Sequence, residues 1–414
     1  HQINKMTKAQ LLVLRQRLNL ENEIPEDALD DDLPPYYRPP EDSDIYRYMM
    51  DRRRALDGPM PVRHSQTRRP LELPNPKLFA EYDEGSGGRE VSTTMVFTSV
   101  LRNLMRDNEF GKRVVPIVPD EARTFGMYSH FREFEIYAPM CQLYEPVDHD
   151  LLLSYAEDKD GQILEEGITE AGSLASWIAA ATSYANLGVP MVPFFTFYSM
   201  FGFQRVGDLI WSAADSRARG FLMGATAGRT TLAGEGLQHQ DGHSHLQAAF
   251  IPNCRAYDPT FAYELAVILH DGMKKMYEEQ QNVFYYVTVM NENYIQPAMP
   301  EDVEEGIIKG MYLYRQGSRK KKRVQLMGSG TILREVIAAA ALLEDEWNVA
   351  ADVWSVTSFT ELRREAMDVE RWNMLHPMDR PRVPYVSSML EKQKGPAVAA
   401  TDYMRSFPEQ IMPY

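Results

Sequence analysis

From about Val91 onward the chain alternates short, wholly apolar runs with longer stretches of helical spacing, and this alternation limits the fold more than any other feature. Val114-Val115-Pro116-Ile117-Val118, the segments from Pro190 to Phe197, from Phe221 to Ala227 and from Asn282 to Met290 read as strands. Residues 169–186, 204–219 and 261–278 read as helices. A strand that is apolar on both faces must be covered on both, and strands separated by helices pair in parallel through crossovers. The prediction is an α/β fold built on a doubly wound, mostly parallel sheet. In such sheets ligands bind just beyond the carboxyl ends of the strands, so polar residues there are the first candidates for function.

A boundary is expected near Pro297–Pro300, followed by a helix ending near Tyr314 and a basic tip, Arg319-Lys320-Lys321-Lys322-Arg323, read as a solvated hairpin turn. The strand Val324–Met327 then leads through Gly328-Ser329-Gly330 into a helix from Thr331 to Trp347, and Asp352–Val356 reads as the next strand. A second α/β unit is therefore expected. Upstream, residues 7–20 read as an amphipathic helix with a capping box at Thr7 and Gln10, Met6 against Leu11, and Leu11, Leu14 and Leu18 on one face. Pro34-Pro35, Pro39-Pro40 and Asp30-Asp31-Asp32 mark an extended connector that runs to Pro76, broken by a short helix around Ile45–Arg54. The expected division is 1–80 for the helix and connector, 81–300 for the first α/β domain and 301–414 for the second, which reads as incomplete. The chain opens on His1 and stops at Met412-Pro413-Tyr414, so it reads as a piece of a longer polypeptide.

Composition removes several classes of function. A formal net charge of -15 argues against a surface for nucleic acid or anionic membrane, since both want a basic face. Cys141 and Cys254 stand far apart, which implies no disulfide framework and fits a reducing cytoplasm. No apolar run is long enough to span a bilayer, and no signal-peptide pattern opens the chain.

Glu170 opens the small-residue helix of 169–186. A lone carboxylate there, among Ala, Ser, Gly and aromatic residues, is expected to be poorly hydrated and able to share a proton with a ligand nitrogen. The alternative is a plain first-turn acid favoured by the helix dipole. Asp120, Glu121 and Arg123 follow the apolar strand directly and are either ligand contacts or a surface ion-pair cluster. Tyr198 and Phe201 lie in Tyr198-Ser199-Met200-Phe201-Gly202-Phe203, which runs past a strand end into a turn. They can flank a flat heteroaromatic ligand or simply extend the core. His239, His243 and His245 fall in a glycine-rich run. They read as stiffening a loop, as lining a site with a proton donor, or as metal ligands, the last weakened because the i,i+4 spacing has meaning only on a helix.

These runs, in this order, resemble the homodimeric bacterial type of pyruvate dehydrogenase. The likeness is carried by Asp120–Met127, Glu166-Gly167-Ile168-Thr169-Glu170, Tyr198–Arg205, Gly228-Arg229-Thr230-Thr231 with Gly234–His245, and Asn291–Tyr294. It extends through Ser355–Leu362 and Arg371-Trp372-Asn373 into the second unit, which would be transketolase C-terminal-like. The resemblance implies a thiamine diphosphate enzyme that decarboxylates pyruvate and acetylates the lipoyl group of dihydrolipoyl acetyltransferase, working as a homodimer. It implies that Glu170 meets the pyrimidine ring nitrogen, that Tyr198 and Phe201 surround that ring, and that Asp120 and Glu121 lie near the cofactor. His239 would be an active-centre histidine, and His1 the histidine of a loop that closes over the cofactor. The family's Gly-Asp-Gly motif with its following asparagine, which binds magnesium and diphosphate, does not occur here, so those ligands are expected from an upstream domain. Two other classes stay open at this point: a metallohydrolase using His239, His243 and His245, and a non-catalytic assembly fragment.

Overall fold

A computed structural model describes residues 6–30, 36–56, 58, 64–67, 70–119, 122–147, 155–232, 236–320 and 322–414. The chain divides into two compact units, His1–Arg63 and His64–Tyr414.

The first unit holds helices α1 (Lys8–Arg17) and α2 (Asp44–Ala55). Thr7 starts α1 through the expected capping box: its N–H donates to Gln10 Oε1 at 2.9 Å, and its hydroxyl accepts from the Gln10 N–H. Ser43 caps α2 in the same way, accepting from the Tyr46 N–H. Leu14 and Leu18 remain exposed, so capping chemistry and not a buried stripe defines α1.

In the second unit, helix α3 (Thr93–Met105) precedes a six-stranded sheet. Its strands are β1 (Val114–Val118), β2 (Leu164–Glu165), β3 (Val192–Tyr198), β4 (Phe221–Ala225), β5 (Cys254–Tyr257) and β6 (Phe284–Thr288). They lie in the order β2-β1-β3-β4-β6-β5, and every neighbouring pair is parallel. Helices α4 (Glu170–Asn186), α5 (Gly202–Asp215), α6 (Ser244–Ala249) and α7 (Ala262–Met273) fill the crossovers. α4 packs on β3 and against α5, whereas α3 packs against α7. Trp177 ties α4 to the sheet: its indole is wholly buried and donates to the Phe221 carbonyl at 3.1 Å. Phe194 and Phe221 stack across β3 and β4 with centroids 4.7 Å apart. Such rings supply most of the apolar area that a two-sided sheet must hide.

The second sheet contains β7 (Tyr312–Arg315), β8 (Lys322–Gly328), β9 (Val349–Ser355) and β10 (Ala397–Ala400), in the order β7-β9-β8-β10. β7 is antiparallel to β9 and the remaining pairs are parallel; α8 (Ile332–Glu346) and α9 (Phe359–Leu375) accompany them. Two expectations fail here. The helix expected to end near Tyr314 stops at Lys309, because Gly310 takes a left-handed conformation (φ +109°) and residues 312–315 form a strand. The basic tip is not a hairpin, since β9 separates β7 from β8. Arg323 pairs instead with the buried Asp352, and Lys320 donates to the Glu344 carbonyl.

Buried acids staple the two sheets together. Glu264 of α7 accepts at one oxygen from the N–H groups of Thr260 (2.6 Å) and Phe261 (3.0 Å), and at the other from the hydroxyls of Tyr312 (2.6 Å) and Ser355 (2.5 Å). Arg255 of β5 pairs with Glu361 of α9. Asp258, just past β5, accepts from Thr288 (2.7 Å), Ser329 (2.9 Å) and Tyr403 (3.3 Å). Among the described residues, no helix is long and apolar enough to cross a membrane.

Candidate active site

The chain leaves β1 for β2 on one side and returns to β3 on the other. This reversal opens a crevice outside the carboxyl ends of β1 and β3, the place where doubly wound sheets bind ligands. The turn after β2 is pinned to β1 because the Glu166 N–H donates to the Val118 carbonyl at 3.1 Å. Gly167 then takes a positive φ (+77°), a conformation that strains any side chain, and Thr169 caps α4 by accepting from the Gly172 N–H. Glu170 is thereby placed as the first residue of α4, at the carboxyl end of the sheet.

The Glu170 side chain is only 12% exposed, so its carboxylate is shielded. It is not isolated, however. Arg205 Nη1 donates to Glu170 Oε1 at 2.7 Å, and the same guanidinium lies 3.9 Å over the Phe201 ring. The expectation of a lone carboxylate among small residues is corrected accordingly. Arg205 lies 35 residues later in the chain, on the helix that begins beyond β3, and α4 alone could not show it.

Tyr198 ends β3, and the Phe201 N–H closes a tight turn on the Tyr198 carbonyl at 2.8 Å. Gly202 is required there, since a Cβ would fall 2.0 Å from Phe197 Cε2. A single-turn 3-10 helix, Leu237–His239, brings His239 against both rings, with centroids 4.7 Å from Tyr198 and 5.1 Å from Phe201. Phe125 meets Tyr198 in a T-shaped contact with centroids 5.1 Å apart. The structure thus gathers Glu170, Tyr198, Phe201 and His239, and adds Arg205 and Phe125, for which sequence reasoning assigned no role. Arg205 carried one weak signal, its i,i+4 spacing from Phe201 at a helix start. Chemically, the cluster offers a shielded acid, an aromatic wall and an imidazole at one crevice.

The three histidines part company. His243 is exposed, and His245 is buried, with Nε2 3.0 Å from Thr288 Oγ1 and its ring against Tyr403 and Phe407. Burial pushes the His245 imidazole down to about 4. His239 stands on a 3-10 turn and His243 precedes α6, so the i,i+4 pair never shares a helix face. Among the described residues, no three or more His, Cys, Asp or Glu groups are placed to hold a metal ion. This divergence does not favour the metallohydrolase reading. His1, Asp120 and Glu121 lie outside the described residues. Arg123 sits with its guanidinium 5.8 Å from the Tyr128 ring.

The family described as pyruvate dehydrogenase E1 component middle domain matches residues 71–297, and that described as transketolase-like C-terminal domain matches residues 310–414. The chain is similar to the pyruvate dehydrogenase E1 component of Pseudomonas aeruginosa, with 56% identity over 99% of this chain and 46% of that protein. It is similar to the Escherichia coli K12 protein of the same name, with 50% identity over 100% of this chain and again 46% of the relative. The chain therefore spans about half the length of the curated relatives it matches. Among solved structures, transketolase from Leishmania mexicana superimposes with a TM-score of 0.58 at 14% identity, over 80% of this chain and 41% of that one, a likeness of fold. The match over residues 71–297 and the identities of 50–56% over nearly the whole chain lead to one conclusion: the chain belongs to the pyruvate dehydrogenase E1 component family.

Proposed function

We propose that this chain provides the pyrimidine-binding half of a thiamine diphosphate site, in an enzyme that decarboxylates pyruvate and passes the acetyl group to a lipoyl group of dihydrolipoyl acetyltransferase. The observation that carries the reading is the Glu170 carboxylate, shielded at the topological switch point and joined through Arg205 to Phe201, whose ring meets Tyr198 and His239. These residues suit an aminopyrimidine. A flat ring with basic nitrogens wants an acid at its edge and aromatic or apolar side chains against its faces. When bound, thiamine diphosphate supplies the nucleophilic carbon and the electron sink that loss of carbon dioxide from a 2-oxo acid requires.

The residues of this chain do the remaining work. Glu170 shares a proton with a ring nitrogen, and Tyr198 and Phe201 exclude water from that proton. Arg205 holds the carboxylate in place across Phe201 until a ligand nitrogen competes for it. His239, packed against both aromatic rings, gives or takes a proton at the developing alkoxide or at the lipoyl sulfur. Such a positioned group typically contributes about 10² to 10⁴ in rate. Magnesium and the diphosphate ligands come, in this reading, from a domain upstream of residue 1, in a cytoplasmic homodimer.

Glu170→Gln in the full-length enzyme tests the proposal. The expected result is unchanged secondary structure with pyruvate turnover reduced by about 10² or more. Turnover near that of the unmodified enzyme would overturn it.

A further inference from the structure

We infer that Asp402 of the C-terminal α/β domain is a positioning residue for His239, acting as a clamp on the loop that carries it. The inference rests on the reading of His239 as the proton-transfer group. The loop between β4 and α6 leaves the sheet at Thr226 and enters α6 at Ser244, carrying His239 between. β10 ends at Ala400, and the residues just past its carboxyl end reach across to both feet of that loop.

At the entry, one carboxylate oxygen of Asp402, Oδ2, accepts from the N–H groups of Arg229 (2.7 Å) and Thr230 (2.9 Å) and from the Thr230 hydroxyl (3.0 Å). Arg229 Nε returns a bond to the Asp402 carbonyl at 2.7 Å. Gly228 makes this approach possible. It takes φ +89°, and a Cβ there would lie 2.6 Å from Asp402 Oδ2. At the exit, the Met404 N–H donates to the Gly242 carbonyl at 3.0 Å. The two feet are also tied to each other, since the Asp241 N–H donates to the Gly228 carbonyl at 3.2 Å.

The clamp is itself buried and fixed. Asp402 is 6% exposed. Its neighbour Tyr403 is 3% exposed, donates to Asp258, and packs edge-on against His245 at 4.8 Å. Asp241 caps α6 by accepting from the N–H groups of His243 (2.9 Å) and Ser244 (3.0 Å), and the Tyr286 hydroxyl of β6 donates to Ser244 at 2.8 Å. Bonds at residues 228–230 and 242 anchor the described flanks of the His239 turn, and a small misplacement of a proton-transfer group costs rate more than binding. The C-terminal domain thereby contributes to catalysis without touching a substrate.

The test uses the full-length enzyme with thiamine diphosphate and magnesium. Asp402→Ala should slow acetyl transfer to a lipoylated acceptor domain by about tenfold or more, within the range set by positioned acid–base groups. Cofactor affinity and KM for pyruvate should change by less than about threefold, as expected for a group that acts in the transition state alone. Asp402→Asn keeps an acceptor oxygen and should recover most of the rate. The double variant with His239→Ala should transfer no more slowly than His239→Ala alone, because residues acting through one another are non-additive. Wild-type transfer by Asp402→Ala, beside a slow His239→Ala, would refute the clamp and leave the proposed function standing. Multiplicative losses in the double variant would refute it as well. A His239→Ala enzyme that transfers at the wild-type rate would sink the reading on which the clamp rests. Should Asp402→Ala fail to fold, Asp402→Glu, which displaces the carboxylate by one methylene, carries the same expectations.

Discussion

Asp258 and His245 share the Thr288 hydroxyl at the junction of the two sheets, and both are buried. Burial raises the Asp258 carboxyl from 3.8 to about 7, against the lowering effect of its hydrogen bonds from Thr288, Ser329 and Tyr403. Burial lowers His245 from 6.5 to about 4, with Asp241 opposing. The titratable groups around the pair are Asp402, Asp241, Tyr286 and Tyr403. The folded state therefore prefers a proton on Asp258 and none on His245. The Asp258 contribution is full below pH 3.8 and is lost as pH rises toward 7, on the order of 4 kcal/mol in all. The His245 contribution is full above pH 6.5 and is lost as pH falls toward 4, on the order of 3 kcal/mol. Between pH 4 and 6.5 the two slopes cancel. Asp258→Asn fixes the neutral form and unmasks His245. Urea unfolding of this chain at a series of pH values, followed by tryptophan fluorescence, reads the effect. The stability of Asp258→Asn relative to the unmodified chain should rise by up to about 4 kcal/mol between pH 4 and pH 7. A difference that stays constant over that range would refute the argument.

Two further substitutions probe the frame around the site. Gly202→Ala drives a methyl group to 2.0 Å from Phe197 at the Tyr198–Phe201 turn, and should destabilise the chain by about 1–3 kcal/mol in the same unfolding experiment; a loss below about 0.5 kcal/mol would contradict the close approach. Glu264→Ala strips the partner from two buried hydroxyls and two buried N–H groups, and should cost roughly 3–5 kcal/mol, with Glu264→Gln milder; equal, small shifts in melting temperature for both would contradict the staple.

How much of this was legible depended on range along the chain. β1 has the bounds its apolar run predicts, because a strand buried on both faces writes itself as an unbroken apolar segment. β5 is four residues with Arg255 among them, and β2 is two residues, so neither carries a period long enough to read. β7 was masked by the helical spacing before it, although Gly310 was the available stop signal. At the site, Glu170, Tyr198, Phe201 and His239 were visible as unusual residues at strand and helix ends. What they touch was not. The Arg205 pair spans 35 residues and the Asp402 clamp 172 or 173, and nothing in local composition encodes a pairing at that distance. The histidine run misled in part because spacing was all it offered, whereas His239 falls on a 3-10 turn and His243 before the start of α6.

The central claim is that the Glu170 carboxylate serves a pyrimidine nitrogen. A structure of the full-length dimer with thiamine diphosphate and magnesium tests it most directly. The account predicts a Glu170 oxygen within hydrogen-bonding distance of a ring nitrogen, with Tyr198 and Phe201 against the ring. A cofactor bound elsewhere, with Glu170 still turned wholly to Arg205, would contradict it.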